Sequence, residues 1–207
     1  MSGNKIITIS REFGTGARLI GLRIATELGF DYYDRALIQL AADKSGLSPD
    51  FIEKNETTSR NSFLYNIATT AYVSSTINLQ YTMPVNDKAF IAQSEVIKEV
   101  AAKGNCVILG RCADYVLSDY PKLMRVFLYG DRKDRLKRII EDYGYDPQTA
   151  EEEMNKIDKG RAGYIKYYTG SVWTDHRTHD IMLNTSRCGI EGSVKVLLNF
   201  AEAFFKG

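Results

Sequence analysis

The sequence lacks the features that mark several large classes of protein. None of its apolar runs approaches the roughly 20 residues that a membrane-spanning helix needs, so we expect no membrane partner. Its net charge is only +1 over 207 residues. This argues against a partner that is a nucleic-acid polymer, because proteins that bind one usually carry a strong basic excess. Any basic site must therefore be local.

Cysteine is also scarce, and its pattern argues against two kinds of site. The three cysteines, Cys106, Cys112 and Cys188, are an odd number and lack the spacing of metal ligands. They predict reduced, partly buried thiols rather than a disulfide framework or a zinc site. The opening MSGNKIITIS moves quickly into a strand-like run, so we expect no secretory signal and a cytoplasmic location.

What is present suits one ordinary α/β domain. A hydrophobic fraction of 44% and a charged fraction of 26% predict a substantial core and a polar surface. Strands are predicted at KIITIS (5–10), FDYYD (30–34), CVILG (106–110), MRVFLYG (124–130) and DIMLNTS (180–186). Stretches of helical periodicity separate them, and the last helix begins at IEGSVKV (190–196). We therefore predict a three-layer fold, with a parallel sheet of about five strands flanked by helices.

Residues 45–104 break this alternation and predict a mainly helical insert. SPDFIEKNE begins like a capped helix, and DKAFIAQSEVIKEVAAKG is typical of a helix that ends at Gly104. Between them, residues 63–81 are long, apolar and aromatic enough to suggest a homodimer face. We predict a single domain over residues 1–207, with its core in 1–44 and 105–207.

The stretch ISREFGTGARLIG (9–21) places a glycine-rich turn between the first strand and the first helix. Gly14 and Gly16 permit the unusual backbone angles that let successive N–H groups converge on an anion. The positive end of the following helix would add to that attraction. A turn that binds no ligand is the alternative.

The turn departs from a P-loop at its charged and hydroxyl positions. Ala17 stands where the lysine would be, Arg18 where the Ser or Thr would be, and Arg11 at the first glycine. Arg11 and Arg18 bracket the turn. Because a guanidinium binds phosphate oxygens through two donors and stays charged, this favours an anion site.

Five segments occur together in order: ISREFGTGARLIG, LGFDYYDRALI, VILGRCADYVL, KIDKGRAGYIKYYTG and LNTS. The chain resembles the cytidylate kinase-like family, a divergent branch of the P-loop nucleoside monophosphate kinases, over nearly its whole length except about residues 55–85. The resemblance implies a P-loop kinase fold whose helical insert binds the nucleoside monophosphate, with a mobile lid at about 143–172. It also implies ATP and Mg²⁺ as cofactors, and phosphoryl transfer to a nucleoside monophosphate, with CMP or dCMP as the expected acceptor.

The site residues expected from this resemblance and from the residues themselves form three groups. The ATP phosphates would lie on Phe13, Gly14, Thr15, Gly16, Ala17 and Arg18. The acceptor would be bound by Asp34, Arg111, Asp114, Asp158 and Arg161. The catalytic cations would be Arg18, Arg111, Arg135 and Arg161. Phosphoryl transfer needs such converging cations, because negative charge spreads over the transferring oxygens, and lid closure excludes water.

Several of these residues have a second interpretation. Arg135 lies in the charge-rich DRKDRLKR and could belong to a solvated helix face. Asp34 could cap the helix that follows it. Asp114 could either orient Arg111 or cap the next turn.

The metal site also departs from the related kinases. Leu109 stands where they carry a metal-associated aspartate, and Cys112 where an acidic residue is frequent. Magnesium would then be held by the nucleotide and by water, with Asp34 or Asp114 as water-mediated partners. Three hypotheses follow: Arg18 replaces the lysine in a working kinase, another phosphorylated donor or acceptor is used, or a nucleotide is bound without turnover by a regulatory protein. A fourth is an interaction module built on the aromatic insert.

Overall fold

The computed structural model describes residues 3–57 and 84–206. Its strands are β1 (Ile6–Arg11), β2 (Asp31–Tyr33), β3 (Cys106–Leu109), β4 (Leu123–Tyr129) and β5 (Ile181–Asn184). They pair in the order β2-β3-β1-β4-β5, and each of these pairings is parallel. The predicted α/β fold with about five parallel strands is confirmed.

The helices include those that the sequence periodicity predicts, and two more, at residues 113–116 and 150–169, that were not predicted. They are α1 (Ala17–Leu28), α2 (Arg35–Ser45), α3 (Pro49–Thr57), α4 (Val85–Lys103), α5 (Ala113–Val116), α6 (Arg132–Glu141), α7 (Ala150–Thr169) and α8 (Thr185–Lys206). A short 3₁₀ helix (His176–Thr178) lies between α7 and β5. Within the described residues, no helix combines the length and apolarity needed to span a membrane.

The boundary between β5 and α8 differs from the sequence prediction. We predicted a strand over 180–186 and a helix from Ile190, but β5 ends at Asn184 and α8 begins at Thr185, with a kink at Gly189. The side-chain oxygen of Asn184 accepts a hydrogen bond from the Ser186 N–H at 2.9 Å. This local bond favours a turn over further strand, since asparagine side chains compete with sheet hydrogen bonding.

Helices cover both faces of the sheet, and β1 contributes to both apolar cores. Ile6 packs with α2, α3 and α4, whereas Ile7 and Ile9 pack with α1 and α8. The alternation follows from the two-residue period of a strand. Cys106 is a free thiol in the first core, and burial raises its pKa to about 12, so it stays neutral.

The loops that follow β1, β3 and β4 lie at one edge of the sheet, where the carboxyl ends of these parallel strands meet. β1 lies between β3 and β4, and its carboxyl end leads directly into residues 12–16. Parallel α/β sheets bind ligands at this edge. Helix α7, in the region expected to form the lid, contacts α3 and α6. Residues 63–81, on which the homodimer expectation rests, lie outside the described residues.

Candidate active site

The turn at residues 12–16 has the left-handed glycines that an anion-binding loop requires. The φ angles of Gly14 and Gly16 are 84° and 78°, values that residues with a side chain rarely adopt. A Cβ on Gly14 would lie 2.7 Å from the Arg135 carbonyl oxygen. The hydroxyl of Thr15 donates to the Glu12 carbonyl at 2.9 Å and closes the turn. On this side the turn is packed tightly against α6.

A cleft of about 700 Å³ lies over the turn. Gly14, Thr15, Ala17 and Arg18 line it, together with residues of α2, α3 and α7. Its basic lining residues are Arg11, Arg18, Arg35, Lys54 and Arg161. Small-molecule and cofactor sites are on the order of 300–1,000 Å³. The cleft is therefore large enough for a nucleotide and carries basic side chains from separate chain segments.

Arg18 and Asp34 form an ion pair at the edge of this cleft. The Arg18 Nε donates to the Asp34 carboxylate at 2.7 Å, and the two side chains are 60% and 10% exposed. Asp34 directly precedes α2, yet among the described residues its carboxylate makes no hydrogen bond that caps the helix. The capping interpretation of Asp34 is therefore wrong. The pair keeps a cation beside the beginning of α1.

Arg135 is a buried residue of α6, the helix that packs against the turn. Its side chain is only 8% exposed, so the interpretation as a solvated helix face is wrong. The guanidinium pairs with Glu12 at 2.9 Å and with Asp158, and its Nε donates to the Phe13 carbonyl at 2.7 Å. Asp158 in turn accepts a hydrogen bond from the Phe13 N–H at 2.7 Å. Arg135 and Asp158, both predicted site residues, are therefore in contact with each other. Both also bind the main chain of the turn at Phe13.

Sequence reasoning missed two residues of this network, Glu12 and Arg138. Besides its pair with Arg135, the Glu12 carboxylate accepts from the Gly130 N–H at 3.1 Å. The Arg138 Nη1 donates to the Gly14 carbonyl at 2.8 Å. The one available signal was the spacing of Arg135 and Arg138, since residues three apart share a helix face.

Arg111 follows β3 in a conformation that is rare for residues other than glycine. Arg111 and Cys112 have φ angles of 60° and 53°, which cost on the order of 1–3 kcal/mol each and cluster at functional sites. Arg111 is 5% exposed and lines a small cavity together with Arg11 and Arg161. Arg11 and Arg161 also line the main cleft. Arg11 and Arg161 are therefore shared by the two cavities, whereas Arg111 lines only the smaller one.

Asp114 lies apart from this cluster. It lines a separate cavity of about 120 Å³ with Arg125 and His179, and its Oδ1 accepts from the Tyr115 N–H at 3.0 Å. Burial raises the pKa of Asp114, and the nearby His179 partly offsets this. This bond reaches only the next residue and does not cap α5, whose N-cap position is Cys112 and has no side-chain cap. Within the described residues, no hydrogen bond or ion pair joins Asp114 to Arg111 either.

Asp34 and Asp114, the two acidic residues expected to assist magnesium, are not placed as direct ligands in the cleft. The described part of the chain holds no group of three or more His, Cys, Asp or Glu side chains suited to a metal. Asp34 is paired with Arg18, and Asp114 lines a different cavity. Since Mg²⁺ keeps several waters and is held largely by substrate phosphates, the cleft is compatible with a magnesium nucleotide.

The five-stranded parallel sheet and the glycine turn under a cleft lined by both basic and acidic side chains are those of a P-loop kinase fold. The chain belongs to the cytidylate kinase-like family, whose model matches residues 6–187. No curated protein matches the sequence significantly.

Solved structures support the same fold. The chain is similar to an uncharacterized protein from Eubacterium ventriosum ATCC 27560, at 28% identity over 97% of this chain and 99% of that one, with a TM-score of 0.72. It is also similar to the shikimate kinase from Bacteroides thetaiotaomicron (15% identity, 97% and 99% coverage, TM-score 0.55). A third relative in fold is the Acinetobacter baumannii shikimate kinase solved in complex with shikimate (12% identity, 98% and 94% coverage, TM-score 0.53). Family and fold together indicate a kinase-type phosphotransferase.

Proposed function

We propose that the protein transfers the γ-phosphoryl group of ATP to a nucleoside monophosphate, with CMP or dCMP as the acceptor. The observation that supports this most is the cleft of about 700 Å³ between the glycine turn and the basic side chains. Mg²⁺, when bound with the nucleotide, would neutralise phosphate charge and orient the phosphates. Residues 45–104 would bind the acceptor, and residues 143–172 would act as the lid.

The arrangement suggests separate places for the two substrates. The ATP phosphates would lie on the turn beside Arg18, and the acceptor phosphate beside Arg111. The cavity beside Arg111 is only about 10 Å³, so the acceptor phosphate would lie in the main cleft near Arg11 and Arg161, which line both cavities. Cations that touch both groups stabilise the charge that develops during phosphoryl transfer.

A second candidate is a regulatory protein that binds a nucleotide without turning it over. The observations that favour it are the absence of the P-loop lysine at Ala17 and the ion pair that engages Arg18 with Asp34. A cation held by a carboxylate must exchange that partner before it can bind phosphate fully.

A coupled assay of ADP formation tests these functions. The acceptors would be CMP, dCMP, UMP and AMP with magnesium. Shikimate belongs in the set because two relatives in fold are shikimate kinases. We expect turnover with CMP or dCMP. Tight ATP binding without turnover on any acceptor would support the regulatory candidate. A protein that binds no nucleotide would instead support the hypothesis of an interaction module built on the aromatic insert.

Replacing Arg111 by alanine is expected to raise the KM for the acceptor by at least about tenfold, with a smaller effect on the KM for ATP. The reason is that a buried guanidinium at this position would bind the acceptor phosphate in both ground and transition states. Steady-state kinetics with each substrate varied in turn measures the difference. Arg177→Ala, at a side chain that is 79% exposed, is the control. An acceptor KM equal to that of the wild type would contradict the role of Arg111.

A further inference from the structure

The backbone carbonyls of the glycine turn accept hydrogen bonds from arginines on later helices. Arg135 and Arg138 of α6 donate to the carbonyls of Phe13 and Gly14 at 2.7 and 2.8 Å. Arg161 of α7 donates to the carbonyl of Arg11 at 3.2 Å. Hydrogen bonds from a charged donor are about twice as strong as neutral ones. Two carbonyls of the turn are therefore held by α6, and the carbonyl just before the turn is held by α7.

Holding a carbonyl also fixes the N–H group of the next residue. A trans peptide group is planar, and its C=O and N–H bonds point in opposite directions. The bond to the Phe13 carbonyl thus directs the Gly14 N–H away from α6, and the bond to the Gly14 carbonyl does the same for Thr15. Gly14 and Thr15 line the cleft. Two arginines that do not face the cleft thereby orient amides beside it.

Building on the proposed function, we infer that Arg135 and Arg138 are positioning residues that hold the N–H groups of Gly14 and Thr15 ready for the ATP polyphosphate. The resemblance assigned Arg135 to catalysis by direct contact. Its buried pairs with Glu12 and Asp158 instead fix its guanidinium against the turn.

Asp158 links this arrangement to α7. Its carboxylate accepts a hydrogen bond from the Phe13 N–H and forms an ion pair with the Arg135 guanidinium. The turn is therefore held fully only while α7 is packed against it. Movement of α7, in the region proposed as the lid, would loosen the amides that bind phosphate.

The test compares variants of the network with a matched control. Arg138→Met and Asp158→Ala each remove one contact to the turn, and Arg138→Lys keeps a charged donor. Arg132→Met is the control, because Arg132 lies on the same helix and binds Glu151 of α7 at 2.7 Å on the exposed surface. It removes a link between α6 and α7 but no link to the turn.

Three measurements are made on the whole protein. Backbone ¹⁵N order parameters of Gly14, Thr15 and Gly16 in the ligand-free protein should fall from about 0.85 to below about 0.6 in Arg138→Met and Asp158→Ala. The Kd for ATP, and for inorganic tripolyphosphate as a probe of the phosphate site alone, should rise by about tenfold. The KM for ATP should rise more than kcat falls. Arg138→Lys should recover most of both losses, and Arg132→Met should match the wild type.

Order parameters that stay at the wild-type value in both variants would overturn the inference, as would an equal loss in Arg132→Met. Lower order parameters in a protein that binds neither ATP nor tripolyphosphate would support the positioning of the turn and reject the proposed function. If Asp158→Ala fails to fold, Arg138→Met and Arg138→Lys decide the question, because the Arg138 side chain is at the edge of the network and 20% exposed.

Discussion

Replacing Gly14 by alanine is expected to weaken ATP binding by at least about 100-fold, which corresponds to about 2.7 kcal/mol. Two effects add. The φ angle of 84° at this position is unfavourable for any residue with a Cβ. The new Cβ would also lie 2.7 Å from the Arg135 carbonyl oxygen and 2.9 Å from Ile139 Cδ1, so that either the turn or α6 must shift. Calorimetric titration with ATP measures the loss.

Gly29→Ala is the control for backbone strain at a glycine outside the turn. Gly29 lies at the other end of α1 with a φ angle of 65°, and in the described part of the chain no neighbouring atom would come within 4 Å of its Cβ, so its replacement adds backbone strain without a clash there. We expect Gly29→Ala to lower the free energy of unfolding by about 1 kcal/mol while ATP affinity stays unchanged. Wild-type affinity in a folded Gly14→Ala protein would show that the turn is not the phosphate site.

Replacing Arg18 by alanine is expected to lower turnover by at least about 100-fold, the scale for the loss of a transition-state cation. Arg18 lines the cleft at the beginning of α1 and lies next to the position where the P-loop lysine is missing. Because position 17 is alanine, Arg18 is the one side chain at positions 17 and 18 that can supply a positive charge to the transferring phosphoryl group. The rate constant for a single turnover at saturating ATP measures the effect directly.

Arg23→Ala is the matched control for Arg18→Ala. Arg23 lies on the same helix, is 41% exposed and pairs with Glu191 of α8. Its loss removes a positive charge and a surface ion pair, which is worth little to stability. We expect its turnover to equal that of the wild type. A near-normal rate for Arg18→Ala would remove Arg18 from the mechanism.

Local sequence patterns predicted the elements of the fold well. The β-branched run that forms β1 and the four-residue spacing of Ile20, Ile24 and Leu28 in α1 depend only on near neighbours and burial. The strand that ends at Asn184 was predicted too long, because a single side-chain hydrogen bond to Ser186 ends it. Such bonds are not visible in hydrophobic periodicity.

The partners of the charged site residues could not be predicted in the same way. Arg135 contacts a turn more than 100 positions earlier in the chain, and its partners are main-chain groups and acidic side chains that no motif records. Asp114 stands three positions after Arg111, yet it lines a different cavity, since the left-handed backbone at Arg111 and Cys112 redirects the chain. The sequence identified charged residues near the site, and only the tertiary packing shows which of them face the cleft.

The proposed function requires that the main chain of residues 13–18 binds the phosphates of a nucleotide. Titration of the ¹⁵N-labelled protein with MgATP, and separately with tripolyphosphate, tests it by following each backbone amide. We predict that the largest shifts fall on Gly14, Thr15, Gly16, Ala17 and Arg18, and that tripolyphosphate reproduces them without the nucleoside. Binding of ATP that shifts amides elsewhere and leaves these five unchanged would contradict the claim.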